Sequence, residues 1–228
     1  SYLGSTLIVP PPPLGESLIA DRLDPFRVGL PLIATSRVVD PVEAGRLVAE
    51  GVADAFGMTR ALITDPDMPR KARAGRLDEI GRCIGCQACI AHYHAGEGIR
   101  CATNPRTGRE RTWPPAAKAG RPGRIVVVGA GPAGLAAAAE GVAAGHEVVV
   151  LERSHRVGGQ QALALSSPGG AAIATALLDN HRRTLAAVEL RLGVEATPET
   201  VAPLEPDVVV VATGARPYEA SARDRPGH

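Results

Sequence analysis

Short apolar runs alternate with amphipathic stretches through residues 1–79, the pattern of successive βα units. Leu32-Ile33-Ala34-Thr35, after Pro31, suits a buried strand. Asp40 is then placed to cap a helix and Pro41 to open it; the amphipathic stretch from Val42 to Glu50 stops at Gly51. Val52 to Met58 offers the next strand, and Asp65-Pro66 begins a second helical stretch ending near Gly75. Two strands do not make a parallel sheet alone, so the pattern predicts that more of the sheet stands upstream.

Residues 80–120 lose this periodicity. They hold four cysteines and a polar, proline-rich connection, which predicts an irregular loop pinned by a metal and then a linker. The run Pro10–Pro13 reads as a loop of polyproline II character. In residues 121–228, Ile125 to Val128 is a β-branched strand, followed by a glycine-rich turn and an alanine-rich helix to Ala144 that Gly145 ends. His146 to Leu151 gives the next strand and Val208 to Val211 a later one.

Composition narrows the class. A net charge of +1 over 228 residues leaves no basic excess for nucleic acid or an anionic membrane, and 3% aromatic content leaves few stacking platforms. The apolar stretch Ile125 to Gly145 holds five glycines, a proline and Glu140, so it reads as strand, turn and helix rather than a membrane span. The chain starts at Ser1 with no secretory pattern, and a cytoplasmic location is expected.

Two motifs carry chemistry. Gly129-x-Gly131-x-x-Gly134 follows a strand, opens a helix, and is answered by Glu152 at the end of the next strand. Gly129 permits the tight turn, Gly131 lets backbone approach a pyrophosphate, and Gly134 lets helix and strand pack closely. Glu152 would accept hydrogen bonds from ribose hydroxyls and disfavour a 2′-phosphate. The alternative is a bare glycine turn that binds nothing. Cys83, Cys86, Cys89 and Cys101 have the spacing C-x2-C-x2-C-x11-C, with no cysteine elsewhere. Without a secretory signal, such spacing points to a metal rather than disulfides, and an evenly spaced triplet suits a [4Fe–4S] cluster. Structural zinc, with His92 and His94 as alternative ligands, and no metal at all are the other readings.

Gly129-Ala-Gly-Pro132-Ala133-Gly134-Leu135, Glu152-Arg153, Val157-Gly158-Gly159-Gln160 and Ala212-Thr213-Gly214 together resemble the FAD-binding half of the two-dinucleotide-domain flavoproteins. That resemblance favours FAD or ADP over NAD. The order of parts is similar to the carboxyl-terminal half of the old yellow enzyme-type iron–sulfur flavoproteins, the trimethylamine dehydrogenase and 2,4-dienoyl-CoA reductase group. Ile33-Ala-Thr-Ser-Arg-Val-Val-Asp40 looks like that family's seventh barrel strand, and Gly51-Val-Ala-Asp-Ala-Phe-Gly-Met-Thr-Arg-Ala-Leu-Ile-Thr-Asp-Pro66 like its eighth. Arg82-Cys-Ile-Gly-Cys86 and Cys101-Ala-Thr-Asn-Pro105 match its cluster segments.

The resemblance implies an α/β architecture in three parts. Residues 1–79 would be the carboxyl-terminal part of an FMN-binding TIM barrel, 80–120 an iron–sulfur loop and linker, and 121–228 a partial Rossmann-like FAD/ADP domain. Ser36, Arg37, Met58, Thr59 and Arg60 would line the FMN phosphate site, with Thr59 standing where the family has glycine. The two-residue interval between Cys86 and Cys89 leans towards the amine dehydrogenases; an NAD(P)H-dependent enoate reductase is the alternative. Electrons would pass between substrate, FMN, cluster and the FAD/ADP site, with an electron carrier or NAD(P)H as partner. A complete barrel needs about 250 residues, so the chain is expected to be short at both ends and to name no catalytic residue. A non-catalytic electron-transfer or nucleotide-binding module paired with a separate barrel subunit, and a degenerate remnant, are the other readings.

Overall fold

The computed structural model describes residues 23, 26–35, 37–164 and 170–215. They form two compact units: residues up to 116 together with 163–183, and residues 117–162 together with those from 184 on.

In the first unit β1 (Ile33–Ala34) pairs in parallel with β2 (Ala55–Phe56). Between them runs α1 (Pro41–Ala49), with Pro41 in its first turn and the Asp40 carboxylate accepting from Val42 N–H at 2.8 Å. It buries Ala44 and Leu47, the inward positions of the amphipathic pattern. The second strand is shorter than expected because the chain turns at once into α2 (Thr59–Thr64), a helix the periodicity did not announce. Asp65 does not open the next helix. It is buried and accepts from Lys71 Nζ (2.6 Å), Gly81 N (2.9 Å) and Asp67 N (3.0 Å), tying three segments together. The helix that follows, α3 (Met68–Arg73), starts two residues after Pro66. Val39, Ala61, Met68 and Ile80 form the core here, with Cys83 packed against it. The cysteine segment is not wholly irregular: α4 (Ala88–His94) carries Cys89.

The second unit is a four-stranded parallel sheet in the order β5-β4-β3-β6. Its strands are β3 (Arg124–Val128), β4 (Glu147–Glu152), β5 (Glu189–Leu192) and β6 (Val208–Val211). Helix α5 (Pro132–Ala144) connects β3 to β4, and Gly145, in the left-handed region at φ +91°, ends it. Val126, Val149, Leu151 and Leu204 make the core on one face.

After the short α6 (Gln161–Ala164), α7 (Gly170–Asn180) packs with the first unit. Its last residue clamps the entrance to the cysteine segment. Asn180 Oδ1 accepts from Arg82 N–H at 2.8 Å while its Nδ2 donates to Arg82 O at 2.9 Å. Asp40 Oδ2 holds the Arg82 guanidinium at 2.9 Å. Asn180→Ala is expected to lower the stability of this unit by about 1–2 kcal/mol, read by hydrogen exchange at residues 80–90 under increasing denaturant. Unchanged protection there would show that the clamp is dispensable.

Candidate functional site

One pocket of the first unit is lined by all four cysteines together with Arg60, Ile63, Thr64, Gln87 and Thr103. Helix α2 supplies one wall, because positions 60, 63 and 64 fall on a single helical face. The segment from Cys83 to Cys89 supplies another, turning through left-handed residues Gly85 (φ +69°) and Gln87 (φ +63°). Cys101 arrives from a separate segment held to α2: Asn104 Nδ2 and Thr107 Oγ1 each donate to Ile63 O at 3.0 Å. Thr64 Oγ1 lies 3.6 Å from Cys101 Sγ and Thr103 Oγ1 lies 3.3 Å from it.

The four thiols are free and half-buried. Burial pushes the Cys83 thiol up, and the Gly85 N–H and the Arg60 charge pull it back without cancelling the rise. Burial likewise raises Cys89, and the neighbouring Cys83, Cys101 and Cys86 raise it further. Thiols raised in this way, as Cys83 and Cys89 are, become good ligands once a cation offsets their charge. Among the described residues, no three His, Cys, Asp or Glu side chains converge closely enough to hold a metal ion as they stand. His92 and His94 do not line the pocket; His92 Nδ1 lies 2.7 Å from Glu97 Oε2.

The residues expected around an FMN phosphate are not drawn together equally. Ser36 lies outside the described residues. Arg37 adopts a left-handed conformation (φ +48°) after β1. Met58 packs against the Val39–Ile80 core, Thr59 is exposed at the start of α2, and Arg60 faces the thiols.

In the second unit the glycine turn is gripped from several sides. Gly129, at φ +107°, donates its N–H to Leu151 O at 2.7 Å. A Cβ on Gly129 would stand 2.5 Å from Ala212 O, so the Ala212-Thr213-Gly214 segment returns directly onto the turn. Gly158 N–H donates to Ala130 O at 2.8 Å, and a Cβ on Gly159 would meet Gly131 Cα at 3.1 Å. Gln160 Nε2 donates to Ala215 O, while Arg153 is exposed beside Glu152. Pro132 and Ala133 form the first turn of α5, whose N–H groups and dipole favour an anion.

Glu152 is buried at the end of β4. Its Oε2 accepts from Ala130 N–H at 2.8 Å and its Oε1 from Ser154 N–H at 2.9 Å. Burial alone would raise its pKa; these N–H groups and the Arg153 charge outweigh that and hold it below the ordinary carboxylate value. A carboxylate depressed on folding contributes stability above its ordinary pKa and loses it as pH falls through the folded value. The denaturation midpoint is therefore expected to drop more on acidification below the usual carboxylate range in the native chain than in Glu152→Gln. Parallel pH profiles would refute the linkage. Each oxygen keeps acceptor capacity for a ribose hydroxyl.

Residues 127–162 match the model of the NAD(P)-binding Rossmann-like domain. Fold and glycine turn thus place this second unit in the Rossmann-like class. The chain is 40% identical over 194 residues to an NADH oxidase of Thermoanaerobacter brockii, covering 83% of this chain and 30% of that protein. It is 38% identical to an N,N-dimethylglycine/sarcosine dehydrogenase of Chromohalobacter salexigens, covering 84% of this chain and 28% of that one. The structure of histamine dehydrogenase from Rhizobium sp. superposes with a TM-score of 0.83 at 28% identity, over 92% of this chain and 32% of that one. The chain is thus similar over most of its own length to oxidoreductases, and spans about a third or less of the length of the relatives named.

The sequence reading missed Thr64, Asn104, Thr107 and Asn180, which position the thiols or their segment. Asn104 sits in the quoted Cys101-Ala-Thr-Asn-Pro105 stretch, but only its partner, the Ile63 carbonyl, reveals its task.

Proposed function

We propose that this chain is the electron-relay portion of a flavin-dependent oxidoreductase, most like an amine dehydrogenase. The observation that carries the reading is that all four cysteines line one pocket although Cys101 comes from a separate segment. In this reading Cys83, Cys86, Cys89 and Cys101 hold a [4Fe–4S] cluster. Four thiols spread around a shared space fit a cubane, with one iron corner for each, better than a single ion with ligands at about 2.3 Å. Gly129, Gly131, Pro132, Ala133, Gly134, Glu152, Arg153, Gly159, Gln160 and Ala212–Gly214 hold the ADP portion of FAD, or ADP itself. Gly131 supports this: its φ of −77° suits any residue, and among the described residues a Cβ there would meet only Gly159 Cα, at 3.9 Å, so they leave space over the turn.

Residues 1–79 complete an FMN-binding TIM barrel whose phosphate site includes Ser36, Arg37, Met58, Thr59 and Arg60; 80–120 bear the cluster; 121–228 bear the dinucleotide. The bound groups supply one-electron and hydride chemistry. The protein's part is to orient them, exclude water and offset charge. An amine substrate is favoured by the names of two relatives, a dimethylglycine/sarcosine dehydrogenase and a histamine dehydrogenase. An electron carrier or NAD(P)H is the redox partner. No helix among the described residues is long and apolar enough to cross a membrane.

Anaerobic purification with iron, sulfide and zinc analysis tests this. About four irons with matching sulfide per chain are expected. One zinc without sulfide, or neither metal, would overturn the cluster assignment.

A further inference from the structure

Arg60 lines the thiol pocket, and among the described residues no other cationic side chain does so. Its Nη1 lies 3.5 Å from Oε1 of Gln87, the residue between Cys86 and Cys89 in the tightest part of the loop. Thr64, one helical turn on, brings a hydroxyl to 3.6 Å from Cys101 Sγ. One face of α2 therefore presents a positive charge and a hydroxyl to the pocket that the cysteines line.

We propose that Arg60 is a charge-setting residue of the cysteine-bound redox centre, raising its reduction potential. The inference rests on the cluster reading above. A centre held by four thiolates gains a further negative charge when it accepts one electron, with no proton required. A guanidinium in the same pocket stabilises that added charge. Thr64 adds a hydroxyl donor to a sulfur, which acts in the same direction and more weakly. The proposal gives Arg60 a task in the centre itself, whether or not it also meets a phosphate.

The full chain, purified anaerobically, is titrated with dithionite in the presence of mediators, and the reduced centre is counted by electron paramagnetic resonance. Arg60→Gln is expected to shift the reduction equilibrium about tenfold towards the oxidised form, about 59 mV lower for one electron. Arg60→Lys should keep most of the native potential. If Arg60→Gln holds iron and sulfide at native levels with an unchanged potential, the proposal is overturned. If Arg60→Gln loses the centre while Arg60→Lys keeps it, a charge requirement is supported; equal loss in both overturns it. Absence of iron and sulfide from the native chain defeats the cluster reading instead, a result recognisable before any variant is made.

Discussion

Cys101→Ser is expected to reduce bound iron from about four per chain to a small residue, with the fold retained. Three of the four thiols, Cys83, Cys86 and Cys89, come from one short stretch of chain that ends in the first turn of α4. Cys101 closes the set from elsewhere, and the structure invests in its position. Asn104 and Thr107 anchor its segment to the Ile63 carbonyl, and Thr64 and Thr103 bring hydroxyls towards its sulfur. A serine oxygen fits the space but is a poor ligand for iron in a sulfide-bridged centre. The side chain is only half-buried, so the substitution removes little packing. Iron and sulfide analysis with far-ultraviolet circular dichroism reads both parts of the claim. A Cys101→Ser protein that keeps its full complement of iron would show that the pocket binds its metal through a different set.

Gly134→Ala is expected to destabilise the second unit by about 3 kcal/mol or more and to abolish dinucleotide binding. The added Cβ would drive into the Gly129 carbonyl oxygen and stand 3.3 Å from Val127 Cγ1, contacts between backbone and a fully buried strand that have no room to yield. Gly131→Ala makes the informative contrast. Its backbone is ordinary, and among the described residues an added Cβ would meet only Gly159 Cα within 4 Å, so the fold should survive. The methyl would instead occupy the place of a pyrophosphate, and ADP affinity should fall at least tenfold, about 1.4 kcal/mol. Thermal unfolding and calorimetry with ADP separate the two variants. Equal stability of Gly134→Ala and the native chain would disprove the packing role. Native ADP affinity in Gly131→Ala would remove the case that this turn cradles phosphate.

Strand β3, helix α5 and strand β4 were legible because each is written locally. A β-branched run, a glycine turn with proline in the first helical turn, and a terminal glycine are signals within a few residues of their effect. Helix α1 was legible for the same reason, through Asp40 and Pro41. Helix α2 was not. Its six residues are too few to show a period, and its first turn has no capping side chain. Strand β5 was missed because only part of it is covered: Glu189, Arg191 and Leu192 are exposed, so no apolar run marks it.

The sequence by itself determined the inventory: four cysteines at ligand spacing, a glycine turn in its strand–helix context, and an acidic residue at the end of the second strand. Only the tertiary structure decided how those parts are held. That Cys101 meets α2 depends on Thr64, Asn104 and Thr107, whose partners lie 37 to 44 residues away. That α7 belongs with the cysteine-bearing unit depends on Asn180 and Arg82, separated by 98 residues. That Arg60 faces thiols rather than solvent depends on which face of a two-turn helix is packed. Hydrogen bonds between distant segments form only after the intervening chain has been ordered, and no local pattern encodes them.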